Sequence, residues 1–260
     1  MLRMRILSIL SVTIAAIANM VSADAICIEA PYPIEGNGEQ RELAELSREV
    51  SSALNRFPSI GEVFETVAPD LCVSNQMDGA LAYLDVQNNQ IFFDEDLSKA
   101  MKIGVLLHEL RHLWQFTHNV CPSDDLAMKE YARAIFALEA DASAISLLVA
   151  WDMKESGEAA AWEALSAWYS QSDIASNFAA TIAETGDPGL AVTSAFYQWY
   201  ASSIRIENYY FSSCSDYLDR QDASHAIPQY RLIPAEFFMR LCKLPDGAPY
   251  DCGDRTMEPG

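Results

Sequence analysis

The stretch His108-Glu109-Leu110-Arg111-His112, within "IGVLLHELRHLWQF", places two of the chain's four histidines at i and i+4. On a helix those positions share one face, one above the other, so both imidazoles can aim at one ion. Glu109 lies about 100° round the helix from His108 and can reach a water on that ion without ligating it. This is the mechanical content of His-Glu-x-x-His in zinc hydrolases. Zinc lowers the pKa of its water toward about 7 and polarises a scissile carbonyl. Glu109 is then the catalytic base, taking the water's proton and passing it to the leaving amine. Ile103, Leu106, Leu107, Leu110 and Leu113 surround the motif with apolar side chains, and buried imidazoles need partners. The competing reading is two core or surface histidines, with Glu109 and Arg111 as a solvated ion pair.

Two histidines make half a site, because catalytic zinc commonly takes three protein ligands and keeps one position open. His118 has the spacing of the third metzincin histidine. However, Gln115 stands where that motif has the glycine of a sharp turn. If the helix continues, His118 falls about 240° round from the ligand face at His112. Met128, a candidate for the methionine beneath such a metal, lies in a helical pattern. The second candidate is Glu139 in "ALEADASA" (137–144), on the next long helical pattern. Ala142 and Ser143 follow it at i+3 and i+4, small enough for two helices to approach closely. Asp141 lies about 200° from Glu139 on the wheel, so one of the two acids is a ligand. The other orients a histidine or faces solvent. A solvated acidic face that also includes Glu130 is the alternative for all of them.

"HELRHLWQ" followed by "EADA" resembles a bacterial family assigned by motif as metallopeptidases and of uncharacterised function. The resemblance covers about residues 80–150. It implies a zincin-like core and a gluzincin-type His-His-Glu site. By position, His108 and His112 match the metal histidines, Glu109 the base and Glu139 the third ligand. More distant zincins place the ligand glutamate four residues before the aspartate, where this chain has Ala137. In zincin folds an edge strand beside the active helix pairs with extended substrate, a role open to "ALAYLDV" or "QIFFDED".

The elements that must position these residues follow from pattern. Leu43, Leu46, Val50 and Leu54 recur at helical spacing over 41–57, ended by Pro58 and Gly61. The lead-in 27–40 reads as irregular, and 62–96 reads as strands. "LCVSN" is a short one. "ALAYLDV" (80–86) and "QIFFDED" (90–96) form a hairpin turned at Asn88-Asn89. Asp96 or Ser98 caps the motif helix, which runs to about Phe116. After Pro122, a long helix from about Leu126 to Met153 has no Gly or Pro inside. The rest is mostly helical, in blocks 158–171, 173–184, 190–218 and 233–242. The order predicts an α+β fold: a zincin-like core with a small antiparallel sheet and the HExxH helix, followed by a mainly helical C-terminal half. The divisions are a signal peptide at 1–25, the metallopeptidase core at 26–153, and a helical region at 154–260 packed on it. Trp114 and Gln115 are expected to pack and cap the motif helix, and Arg111 to pair with nearby acids. An oxyanion donor could be Tyr131, Tyr209, Tyr210 or His225, and spacing selects none.

The N-terminus reads as an export signal: Arg3 and Arg5, then about 16 apolar residues too few to span a bilayer, then Ala23-Asp24-Ala25 as a cleavage site. No later segment reads as long and apolar enough to cross a membrane. All six cysteines lie beyond the cut. An even count in an exported chain favours disulfides, with Cys242–Cys252 closing a small loop. The formal charge is −20. Losing Arg3, Arg5 and Asp24 leaves 15 basic and 36 acidic residues, or −21. Such a surface repels phosphate backbones and offers nothing to anionic lipid. The expectation is a secreted or periplasmic, Zn2+-dependent peptidase acting on a peptide or protein, with no nucleic-acid or membrane partner after cleavage. A non-catalytic binding or structural protein that keeps a zincin core is the alternative.

Overall fold

The computed structural model describes residues 25–254 apart from Asp78. The expected signal peptide therefore lies outside the described residues, except for Ala25. In chain order the elements are β1 (Ile26–Ile28), α1 (Gly38–Leu54), α2 (Pro58–Val67), β2 (Asp70–Ser74), β3 (Ala82–Asp85) and β4 (Gln90–Asp94). Then come α3 (Lys99–Thr117), α4 (Met128–Glu155), α5 (Ala160–Ala167), α6 (Ser172–Thr185), α7 (Pro188–Trp199), α8 (Ser203–Ala223) and α9 (Phe237–Leu241). The class is α+β, as the pattern implied.

The sheet is mixed, not antiparallel as expected. Its order is β1-β2-β4-β3, with β2 and β4 parallel in register Asp70↔Gln90 to Ser74↔Asp94. The reason is topological. After β2 the chain passes the neighbouring slot and lays β3 at the outer edge. The hairpin then returns β4 into the gap, running in the same direction as β2. The hairpin loop is also wider than the expected Asn-Asn turn. It spans residues 86–89, with the Asp85 carboxylate accepting the Gln87 and Asn88 N–H groups at 3.0 and 3.1 Å. Only Asn89 takes a left-handed φ, of 54°, which asparagine tolerates better than most residues.

Two further expectations are corrected. The lead-in holds a strand: β1 pairs with β2, and Cys27 faces Cys72 in register and is disulfide-bonded to it. Residues 62–67 are helical, not strand. Pro58 sits at the first turn of α2, where its missing N–H costs nothing, and Ile60, Val63 and Phe64 bury one helical face. The 190–218 block divides into α7 and α8 without Gly or Pro. Ser202 makes the break by accepting the Arg205 N–H at 3.2 Å as a new N-cap.

α3 starts where Ser98 Oγ accepts the Met101 N–H at 3.2 Å. Every residue from Lys102 to Gln115 on it is buried, because it runs through the centre. It packs against α1, α2, β3 and β4, and also against α4 and α5. Fully burying a leucine contributes about 1.5–3 kcal/mol. Leu106, Leu107, Leu110 and Leu113 thus hold two imidazoles and a carboxylate inside. α4 corrects another expectation, being long and apolar enough to span a membrane by composition. Its most apolar window is 94% buried within the fold, so that character serves the core. Opposite α3, α4 packs against α7 and α8. The break before α7 uses Gly186 at φ 66° to end α6, then Asp187 as N-cap and Pro188 in the first turn.

Candidate metal centre

Helical phase on α3 and close packing of α4 bring three donors together. His108 Nε2 and His112 Nε2 are 2.9 Å apart. His108 Nε2 lies 3.5 Å from Glu139 Oε2, and His112 Nε2 lies 3.5 Å from Glu139 Oε1. The three residues form a buried group that could hold a metal ion. Their exposures are 5%, 4% and 1%, so water scarcely competes for the donor atoms.

The surroundings fix how these donors point. His112 Nδ1 lies 2.8 Å from Gln115 Oε1. The Gln115 amide nitrogen donates to Leu138 O at 3.0 Å and to Asp141 Oδ2 at 2.7 Å. Two acceptors on the nitrogen orient the amide, so its oxygen must receive the His112 Nδ1 proton. His112 Nε2 is then left with a lone pair aimed at the shared point. Asp141 anchors the arrangement. It takes Arg111 Nε and Nη2 at 2.6 and 2.9 Å and the Tyr250 hydroxyl at 2.6 Å. Arg111 also donates to Leu241 O and Lys243 O at 3.1 and 2.8 Å and lies over the Trp114 ring. The C-terminal segment, stapled by the Cys242–Cys252 disulfide as expected, therefore reaches the centre.

On the other side, the Tyr209 hydroxyl donates to Glu139 Oε2 at 2.9 Å. Glu139 Oε1 and Glu109 Oε2 have no hydrogen-bond partner among the described residues. Buried oxygens of that kind are costly unless something fills the place. Glu109 is 1% exposed and receives a hydrogen bond from the Leu84 backbone on β3. Burial, reinforced by the Glu139 charge, pushes Glu109 well above the usual carboxylate range, and the Leu84 contact only partly offsets this. Burial also raises Glu139 to about 7, opposed by His112 and Tyr209. It lowers His108 to about 3 and His112 to about 4, against the pull of nearby acids. Both imidazoles are thus neutral and free to ligate over the ordinary pH range.

The other candidates lie elsewhere. α3 continues to Thr117, so His118 is its C-cap, exposed and stacked on Trp114, with Nδ1 against Trp114 O at 2.9 Å. Met128 begins α4. Tyr131 donates to Asp216 at 3.1 Å, Tyr210 is exposed, and His225 sits in an exposed loop at φ 51°. Of the four oxyanion candidates, Tyr209 alone is brought to the centre. Arg111 does pair with an acid, but as a buried group. The roles of Gln115 and Tyr250 were missed. For Gln115 the signal was available, since i+3 from His112 lies on the same face. For Tyr250 there was none.

A cavity of ≈ 310 Å³ reaches the centre at His108 and Tyr209, and a crevice of ≈ 20 Å³ reaches it from Leu84, His112 and Glu139. Cys27, Cys72, Cys242 and Cys252 are paired while Cys121 and Cys214 are free, and two disulfides suggest an oxidising, exported setting. No curated protein and no solved structure gives a significant match to the chain. The family model described as "Putative metallopeptidase family (DUF6782)" matches residues 18–252. That match spans α3, α4, Tyr209 and Tyr250, and the chain belongs to this family.

Proposed function

We propose that the protein is a zinc-dependent peptidase of the gluzincin type, exported by its N-terminal signal and acting on a peptide or protein. In this reading residues 26–153 form a zincin-like core and 154–260 a helical region packed on it. The observation that carries the reading is the convergence of three buried donors beside a buried carboxylate with an unsatisfied oxygen. His108, His112 and Glu139 would hold the ion. Two neutral imidazoles and one carboxylate suit zinc. Ligand atoms in a tetrahedral zinc site stand roughly 3.3–3.5 Å apart. The two nitrogen–oxygen separations match this, and the nitrogen–nitrogen one is shorter. Zinc bound there would supply Lewis-acid polarisation of a carbonyl and acidify a water.

The remaining work falls to the chain. Glu109 would act as the base, taking a proton and passing it to a leaving amine, and its burial helps it hold that proton in between. Leu84 N–H steadies its carboxylate from β3, an edge strand. Tyr209 keeps Glu139 in place through its one hydroxyl proton, and would have to turn that proton away from Glu139 to meet a developing oxyanion. Gln115 and Asp141 keep the His112 tautomer that ligation needs. The alternative, a non-catalytic structural or binding protein, would be served by a closed site. The cavity that opens on His108 favours the catalytic reading.

The test is metal analysis of purified protein, paired with Glu109→Gln. About one zinc per chain is expected in both proteins, with peptide hydrolysis in the wild type alone. A protein that takes up no metal when zinc is supplied sinks the proposal. Loss of zinc in Glu139→Ala but not in His118→Ala identifies the third ligand.

A further inference from the structure

We infer that the ≈ 310 Å³ cavity is the recognition pocket for a large uncharged side chain, aromatic or branched aliphatic, of the peptide substrate. The word substrate rests on the proposed peptidase function; the pocket's preference rests on its own walls. Its inner end is formed by His108 and Tyr209. The first is a candidate ligand, and the second is hydrogen-bonded to another. A side chain entering here would bring its own backbone toward the centre. The outer end includes Tyr169 and Ile204, both well exposed, so the cavity communicates with solvent.

Most of the wall is apolar, with Val105, Leu165, Trp168 and Trp199 contributing to it. Close packing shapes one part of it. A Cβ added to Gly104 would meet Leu165 Cδ2 at 2.8 Å, so glycine lets α5 lie against α3 beside the inner end. The volume is at the low end for small-molecule pockets, about 300–1,000 Å³. That suits one large side chain with its flanking backbone.

Charge decides the class of side chain. Apart from the centre itself, the lining carries two charged groups, Asp173 and Arg205, and they neutralise each other. Arg205 Nη2 lies 2.9 Å from Asp173 Oδ2. Nη1 also donates to Asp173 Oδ1 at 3.3 Å, and the other three Arg205 donors are spent on backbone oxygens of Trp199, Ser170 and Gln198 at 2.7, 2.8 and 3.2 Å. Asp173 also accepts from Gln198 Nε2 at 3.1 Å. An acidic guest finds no unspent donor on Arg205, and a basic guest finds no unspent carboxylate. Burying either charge without a partner is strongly unfavourable.

The test uses full-length Glu109→Gln protein, which removes the proposed base and so keeps the peptide intact. Acetyl-Ala-X-Ala-amide peptides, with X as Phe, Leu, Asp or Lys, are titrated by calorimetry and by tryptophan fluorescence, since Trp168 and Trp199 line the cavity. The Phe and Leu peptides should bind at least tenfold more tightly than the Asp and Lys peptides. Asn208→Trp, which places bulk in the cavity from α8, should weaken the Phe peptide at least tenfold. Asp173→Asn removes the partner charge of Arg205 and should shift preference toward the Asp peptide by tenfold or more. Equal affinity for charged and uncharged peptides, or binding of none, overturns the assignment. So does tight Phe binding that Asn208→Trp leaves unchanged. A wild-type protein that selects Phe but holds no metal and cleaves nothing would defeat the peptidase reading and uphold the pocket.

Discussion

Gln115 Oε1 receives the His112 Nδ1 proton at 2.8 Å, while the same amide donates to Asp141 Oδ2 at 2.7 Å. The residue that departs from the metzincin pattern is thus the one that sets the tautomer of a candidate ligand. Gln115→Leu has about the right volume, but it frees the imidazole and leaves Leu138 O and Asp141 Oδ2 without this donor. Outer partners of metal ligands typically contribute 10–100-fold in metal affinity. Zinc affinity measured against a competing chelator should fall by about that factor. Gln115→Glu keeps an acceptor for Nδ1 but loses both donations, and should recover only part of the loss. Unchanged affinity in Gln115→Leu would remove this residue from the centre.

Arg111 and Asp141 are both wholly buried and joined by two hydrogen bonds. Removing one partner of such a pair leaves a buried charge uncompensated, at a cost of about 3–5 kcal/mol. Arg111→Ala should therefore lower unfolding stability by about that amount. Arg111→Lys should rescue little, since an ammonium cannot make the forked contact while also reaching Leu241 O and Lys243 O. The measurement is denaturant unfolding of the metal-free protein. A loss below about 1 kcal/mol, the range of a surface pair, would contradict the buried geometry.

How much was legible follows from the range of each interaction. His108, Glu109 and His112 share one helical turn, so spacing alone grouped them. Glu139 was reachable because it lies on the next long helix among small residues. Gln115 in place of the turn glycine already spoke against His118 and the resemblance pointed to Glu139, but which of Glu139 and Asp141 faces the histidines depends on the phase of α4, which no local pattern specifies. Tyr209 and Tyr250 act from segments far along the chain, and a tyrosine there has no signature. The α+β class was visible in periodicity. The parallel pairing of β2 with β4 was not, because it depends on which slot β3 takes. β1 is three residues long, too short to show alternation, and only its bond to Cys72 marks it.

Metal uptake should depend on pH in a stated direction. Burial holds Glu139 protonated up to about 7, while His108 and His112 stay neutral down to about 3 and about 4. Binding must therefore displace a proton from Glu139 and none from the imidazoles. Above about 7 its carboxylate is already ionised, so the Glu139 proton no longer contributes to the pH dependence there. Below that, each pH unit should weaken zinc by up to tenfold, as one proton competes with the ion. Chelator competition between about pH 5.5 and 8.5 spans both limbs. A two-proton slope centred near 6.5, the ordinary histidine value, would mean that the imidazoles titrate and would contradict their burial.

The disulfides should contribute unequally. Cys27–Cys72 closes a separation of 45 residues and Cys242–Cys252 one of 10. Loop-closure entropy assigns them about 4 and about 2.7 kcal/mol. Cys27→Ala/Cys72→Ala should accordingly be the more destabilising pair of substitutions in denaturant unfolding. The smaller loop has the closer link to the centre, because it carries Tyr250, which bonds Asp141. Cys242→Ala/Cys252→Ala should therefore weaken zinc binding more than it weakens the fold. Cys121 and Cys214 remain as thiols, so unfolded, unreduced protein should titrate two. In the native state burial pushes Cys121 up to about 11. At about pH 8 only about one part in a thousand is thiolate, the reactive form, and alkylation of Cys121 should be slow until the protein unfolds. Fast native labelling at Cys121, or four thiols without reductant, would contradict this arrangement of cysteines.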